Sequence, residues 1–382
     1  MTNAEIVIGS IKTVISGELI TNPPLLNESD YAEIFKIARS HDMLPMVSEG
    51  LYKNNLLPDN EIGNAFKLAQ MSSIVRLSRF EQVRNTISCS LHKANIPYLF
   101  LKGSVLKEYY PDAYMRTQCD IDVLVRRLDL PKAEEVFLEN GYTKTSIEHH
   151  EVSFFSQSGV HIELHFFLEE EHNQTIDKAL LTVWDNVYSE TSRPYHFYMN
   201  RDFFLFYHVA HMEKHFSNGG CGIKPFIDLW IIKYSMGICV DEGKDFLESC
   251  NLLNFYYHME HLSEVWFGNM THTEISKKVE NYILNAGVYG TQENNAAMAQ
   301  CRKGSKSKHL AERIFLPYET ISRYYPIVKK CPIILPFAHI YRWCKVLFGK
   351  GRERALNEVN VNLSITEEKR REIMDLYKEL QL

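Results

Sequence analysis

The chain is expected to adopt an α+β fold, a small mixed sheet flanked by N-terminal and C-terminal helical regions. Three observations predict it. Short apolar runs with period-two alternation are confined to the middle of the 382 residues, helical spacing dominates on both sides, and Gly, Pro and Asn punctuate the boundaries. The pattern divides the chain into residues 1–95, helical; 96–195, mixed; and 196–382, helical.

In the front region, residues 30–40 form one helical piece and residues 60–94 a long one, ended by Asn95 and Pro97. The run 96–101 is short and β-rich, and Lys102-Gly103-Ser104 breaks it before residues 105–110 take up helical spacing. Next come a strand at 121–125, a helix at 131–140 stopped by Gly141, and strands at 151–156 and 160–168 joined by a hairpin at Gly159. From Arg201 onward the spacing is helical, with two breaks. One is the glycine-rich stretch 217–222; the other is the polar stretch 287–308, where a hinge is expected. No internal repeat is visible.

Asp120-Ile121-Asp122 is the most informative feature. Side chains on a strand alternate, so Asp120 and Asp122 project to one face while Ile121 and Val123 point to the other. Two ionised carboxylates side by side repel, and a divalent cation is the ordinary reason to hold them there. In the later strand His161, Glu163 and His165 share one face, with Ile162, Leu164 and Phe166 opposite, so Glu163 can supply a third carboxylate. Oxygen ligands without thiolates suit Mg²⁺ or Mn²⁺ rather than Zn²⁺. The Lys102-Gly103-Ser104 turn offers a close backbone approach, a hydroxyl, a positive charge and a helix start to a phosphate. Alone, an Asp-x-Asp is commonly a solvated strand end and a Gly-Ser turn an ordinary loop; their combination carries the reading.

These residues carry a resemblance. Leu101-Lys102-Gly103-Ser104-Val105-Leu106, Tyr110-Pro111, Arg116, Asp120-Ile121-Asp122-Val123-Leu124-Val125 and Ile162-Glu163-Leu164-His165 together resemble the nucleotidyltransferase superfamily of the DNA polymerase β type, in particular its bacterial branch of uncharacterised nucleotidyltransferases. The resemblance implies that residues 96–195 are the catalytic domain and that the enzyme moves an NMP from an NTP, ATP foremost, to an acceptor hydroxyl, releasing pyrophosphate. Asp120, Asp122 and Glu163 would be both catalytic residues and ligands of Mg²⁺ or Mn²⁺. Lys102, Gly103 and Ser104 would hold the β and γ phosphates, and the fainter matches Arg116, His215, Lys224 and Asp228 would also belong to the nucleotide site. The acceptor stays open between a small molecule, a protein and a tRNA, the latter two as in transferases of toxin type. Two further alternatives are a degenerate nucleotide-binding domain and a helical nucleic-acid-binding or scaffold protein.

His208, His211 and His215 share one helix face and suggest a rival zinc or nickel site, but no Glu stands in a His-Glu-x-x-His position and no fourth ligand is evident. Packing, or lining of the nucleotide cleft by His215, is the preferred reading. His149-His150-Glu151 reads as a solvated strand edge, and His161 and His165 as supports of Glu163. A composition 45% hydrophobic and 12% aromatic excludes wholesale disorder. Glu5 and Lys12 interrupt the apolar N-terminus, unlike a signal peptide, no uncharged apolar run is long enough for a transmembrane segment, and eight scattered cysteines without a Cys-x-x-Cys fit reduced thiols; a cytoplasmic location is expected. Net charge is −6, yet residues 302–354 hold thirteen Lys or Arg against three Glu, a candidate contact for a polyanion such as tRNA or for an anionic membrane surface.

Overall fold

The computed structural model describes residues 1–168, 173–288, 290–302, 314–349 and 352–382. The fold is α+β, with one five-stranded mixed sheet among helices. The front helices are α1 (Asn3–Ser16), α2 (Glu28–Ser40), α3 (Leu44–Lys53) and the long α4 (Glu61–Lys93). Asn60 caps α4, its side chain accepting a hydrogen bond from the Gly63 N–H at 3.1 Å, and Asn95 at φ 53° turns the chain out of the helix into the sheet.

The sheet contains β1 (Tyr98–Phe100), β2 (Asp120–Val125), β3 (Thr143–Ile147), β4 (Glu151–Phe155) and β5 (His161–His165), in the order β1-β2-β5-β4-β3. Only β2 and β5 pair in parallel; the other neighbours are antiparallel. Between β1 and β2 lie the four-residue helix α5 (Gly103–Leu106) and two 3₁₀ turns, Lys107–Tyr109 and Ala113–Met115. The expected helix over 105–110 is thus shorter and starts two residues earlier, because the Ser104 N–H is taken by the Leu101 carbonyl and the Val105 N–H by that of Lys102. Helix α6 (Leu130–Glu139) follows β2. β3 escapes sequence detection because its residues are mostly exposed and show no apolar alternation.

One face of the sheet is sealed. Ile121, Val123, Ile162 and Leu164 pack with Phe80, Val83, Ile87 and Leu91 of α4 and with Ala133 and Phe137 of α6. The other face looks toward the rear helices α7 (Gln174–Leu180), α8 (Arg201–Ser217), α9 (Lys224–Tyr234), α10 (Val240–Ser249), α11 (Leu253–Phe267), α12 (Glu274–Leu284) and α13 (Gln292–Arg302). A two-stranded hairpin of β6 (Val187–Ser189) and β7 (Phe197–Met199) precedes α8. The front and rear helices share one core: Ile6, Val7 and Ile11 of α1 belong to the same buried cluster as Phe226 of α9, Met259 of α11 and Leu380 of the C-terminal helix Glu367–Leu380.

Helix α13 occupies much of the stretch expected to be a hinge. Its polar composition conceals buried Ala296 and Ala297, and Gln300 is itself buried, its amide donating to the Asn362 carbonyl at 2.9 Å. The rest of that expectation, residues 303–308, lies outside the described residues, as do residues 303–313 and 350–351 of the basic segment. Among the described residues, no helix is long and apolar enough to cross a membrane.

Candidate active site

Parallel pairing of β2 with β5 assembles the acidic group. The register sets Asp120 beside His161, Asp122 beside Glu163 and Leu124 beside His165. Register partners on adjacent strands point to the same face, so Asp120, Asp122 and Glu163 come together opposite the sealed apolar side. β4 runs antiparallel on the far side of β5 and sets Glu151 beside His165. Glu151 was expected at a solvated strand edge; it is buried, because alternation in Glu151-Val152-Ser153-Phe154 sends Val152 and Phe154 into the core and Glu151 to the acidic face.

Asp122 is buried and makes two charge-assisted contacts. The Lys102 ammonium stands 3.1 Å from its Oδ1, and His165 Nε2 stands 3.0 Å from the same oxygen. His165 Nε2 also lies 3.4 Å from Glu163 Oε2 and 3.5 Å from Glu151 Oε2, while His161 Nδ1 lies 3.7 Å from Glu163 Oε1. Lys102 reaches Asp122 from a left-handed backbone, φ 46°, which a non-glycine residue holds only when its surroundings enforce it.

These contacts split the two aspartates electrostatically. Burial alone would raise the Asp122 carboxyl, but Lys102 and His165 outweigh it and hold the group ionised, well below the usual carboxylate range. Asp120 goes the other way: burial, then the negative charges of Asp122 and Glu163, push it up to about 7. His165 is raised to about 9, since hydrogen bonds to Asp122 and Glu163 overcome the cost of burying its cation. Such a group is short of positive charge. Within it, two sets have the spacing of metal ligands, Asp120 with His161 and Glu163, and Asp122 with Glu163 and His165; His150, Glu151 and His165 make a third beside them. The first two sets share Glu163 and each offers two carboxylates and an imidazole, donors that fit a divalent cation.

Two cavities meet over the aspartates. One, about 200 Å³, is lined by Gly103, Ser104, Arg116, Lys224 and Asp228; the other, about 360 Å³, by Glu163, Glu151, His150, His165 and Lys214. Lys102, Asp120, Asp122 and, from α8 above them, Tyr207, His211 and His215 border both. The shared border means that a molecule in either cavity is within reach of the same carboxylates.

All ten residues singled out from the sequence border one or both cavities, and Arg116, Asp228 and Lys224 are tied into ion pairs in the cavity wall. Arg116 grips Asp228 with both arms, Nε to Oδ1 and Nη2 to Oδ2 each at 2.8 Å, and the Tyr110 hydroxyl donates to the same Oδ1 at 2.6 Å. Lys224 donates to Asp42 Oδ2 at 2.8 Å and to the Thr117 carbonyl at 3.0 Å. Asp42 was not anticipated, because 182 residues separate it from Lys224 and nothing local marks it. His208 Nε2 donates to the Pro225 carbonyl, 3.3 Å away, and burial lowers the ring to about 4. His211 and His215 bring their Nε2 atoms to 3.0 Å. The three histidines do not form a metal-ligand group.

The sequence model of a family described as "Uncharacterised nucleotidyltransferase" matches residues 27–268, well over half of the chain. The chain belongs to that family. No curated protein and no solved structure matches it.

Proposed function

We propose that this member of the uncharacterised nucleotidyltransferase family is an enzyme that transfers an NMP from an NTP, with ATP the first nucleotide to test, to an acceptor hydroxyl. The observation that carries the reading is the β2–β5 register, which brings Asp122 beside Glu163 and Asp120 onto the same face at the junction of two cavities. A fold without metal-dependent chemistry gains nothing from burying Asp120 beside Asp122 and Glu163, where burial and then their negative charges push it up to about 7.

Asp120, Asp122 and Glu163 would hold Mg²⁺ or Mn²⁺. When bound, such ions lower the pKa of the acceptor hydroxyl and neutralise charge on the departing phosphates. The chain's own residues do the rest. Lys102, the Ser104 hydroxyl and the Gly103 backbone hold the phosphates in the smaller cavity, and His215 borders the nucleotide from α8. Arg116 and Lys224, neutralised by Asp228 and Asp42, shape the cavity wall and keep the Thr117–Cys119 segment in place. The acceptor oxygen enters from the larger cavity and attacks the α-phosphorus as its bond to the bridging oxygen breaks; pyrophosphate leaves with the bonding electrons, and Glu163 takes the acceptor's proton. His165 orients Asp122 and Glu163 throughout.

A cavity of about 360 Å³ accommodates a small hydroxylated molecule or one side chain or terminus of a macromolecule. The test is incubation of the purified protein with α-³²P-labelled NTPs, Mg²⁺ or Mn²⁺ and cell extract. Label entering a small-molecule, protein or RNA fraction in a metal-dependent way identifies the acceptor class; label that Asp122→Asn does not abolish contradicts the reading.

A further inference from the structure

The helix Leu335–Phe348 turns its apolar side outward. Phe337, Ile340, Tyr341, Cys344 and Phe348 recur at three- and four-residue spacing and are all exposed, while Ala338 and His339 on the other side are buried. Phe337 is 67% and Phe348 87% exposed, and Ile333, in the turn leading into the helix, is 83% exposed. A soluble helix ordinarily buries such a stripe. The small cluster of Ile321, Val328 and Ala338 lies on the inner side and leaves the stripe uncovered.

The surroundings of the stripe are basic. Tyr325 packs edge-on against Tyr341, ring centroids 5.9 Å apart, which sets the neighbouring helix Ile327–Lys330 beside the stripe. Lys329 and Lys330 on that helix and Lys345 on the stripe's own helix are exposed, whereas Glu319 is the only acidic residue in 314–349. An apolar face rimmed by lysines is complementary to an anionic bilayer surface, where the rings and aliphatic chains enter the acyl boundary and the ammonium groups remain among lipid phosphates.

The same features weigh against other occupants. A second copy seated on this face brings lysine rims together, like charge against like. A nucleic acid satisfies the lysines and finds rings on Phe337, Tyr341 and Phe348, but it leaves the exposed aliphatic chains of Ile327, Ile333 and Ile340 in water, where a bilayer covers them. We propose that the Leu335–Phe348 helix and the turn before it form a docking surface for an anionic lipid membrane, which the chain lies on and does not cross.

Flotation of the full-length protein with phosphatidylglycerol-containing and with pure phosphatidylcholine vesicles tests this. The wild type is expected to float with the anionic vesicles and to be released by high salt. Replacing Phe337 and Phe348 together by Ser should lower the partition coefficient about tenfold or more. Replacing Lys329, Lys330 and Lys345 by Gln should lower it by roughly a hundredfold on anionic vesicles, at about fivefold per lysine, and leave the phosphatidylcholine background unchanged. Because all five side chains are exposed, the melting temperatures should stay at the wild-type value, so lost binding is not lost folding. Absence of flotation by the wild type, or flotation indifferent to the Phe337 and Phe348 substitutions, overturns the proposal. So does a dimer that those substitutions dissociate, which assigns the face to a second copy, or binding of tRNA in place of vesicles.

Discussion

Asp122 and Glu163 are register partners on the two parallel strands of the sheet, and His165 Nε2 touches a carboxylate oxygen of each, at 3.0 Å and 3.4 Å. This one pairing fixes the acidic face. Because β2 and β5 alternate in phase, Asp120 cannot leave the face without also turning Asp122 into the apolar side. The protein thus tolerates a buried group of like charges, and its stability should reveal the cost.

Asp120→Asn is expected to stabilise the metal-free protein while eliminating transfer. An acid whose folded pKa is raised to about 7 binds more protons folded than unfolded between pH 4 and 7, so its contribution to stability falls as pH rises through that window. Above pH 7 the Asn variant should therefore exceed the wild type by on the order of 1–3 kcal/mol, and the gap should close toward pH 4. Mg²⁺ should raise the melting temperature of the wild type more at pH 8 than at pH 6, and of the variant little at either. Denaturation curves over this pH range, with and without Mg²⁺, check both parts.

Gly103→Val should raise the NTP KM by about tenfold or more with a modest loss of stability. A Cβ at Gly103 meets Arg116 Nη1 at 3.0 Å and Gln118 Oε1 at 3.1 Å, so Ala needs a shift of a few tenths of an ångström, while the two further methyl groups of Val press on a guanidinium already held by Asp228 and the Thr117 carbonyl. Steady-state kinetics of Gly103→Ala and Gly103→Val decide it, and equal KM values for wild type and Val would place the phosphates elsewhere.

Asp228→Asn should destabilise by about 3–5 kcal/mol, because it strands the buried Arg116 guanidinium without its counter-charge and leaves one amide oxygen where two carboxylate oxygens accepted from Arg116 and the Tyr110 hydroxyl. Burial opposes the Asp228 anion, but Arg116 more than compensates and its carboxyl is lowered. A depressed acid contributes stability that is present above its unfolded pKa and lost as pH falls through the folded one, so the Asn penalty should shrink in acid. Urea unfolding at neutral and acidic pH measures it.

His41 gives a pH dependence of opposite origin. Burial lowers it to about 4, with only the Leu284 carbonyl, 3.3 Å from Nε2, favouring the cation. The folded protein then binds fewer protons than the unfolded chain between pH 4 and 6.5, and the stability supplied by the neutral ring is lost as pH falls through that window. The wild type should accordingly lose its advantage over His41→Gln on acidification, by on the order of 1–3 kcal/mol, in thermal melts taken from pH 7 to pH 4.5.

Much of this site was legible in the sequence because strand alternation is a local signal. Asp120-Ile121-Asp122 and His161-Ile162-Glu163-Leu164-His165 each state which residues share a face, and the mixed sheet between helical regions follows from where such runs occur. What escaped was non-local or lacked contrast. The Arg116–Asp228 and Lys224–Asp42 pairs join residues 112 and 182 positions apart, and no spacing rule connects them. β3 is too exposed to alternate, the β6–β7 hairpin has three-residue strands, and α13 hides two buried alanines among Asn and Gln. Glu151 was recoverable, since Val152 and Phe154 set its face, but the adjacent His149 and His150 made the stretch look solvated.

The most direct measurement is calorimetric titration of a non-hydrolysable ATP analogue into the wild type and Asp122→Asn, each with and without Mg²⁺. Asp122 is the carboxylate that Lys102 and His165 hold ionised, and its loss leaves Asp120 and Glu163 without their central partner. The account predicts Mg²⁺-dependent binding to the wild type that disappears in Asp122→Asn, with the variant still folded by circular dichroism. Equal Mg²⁺-dependent affinity in both proteins would contradict it.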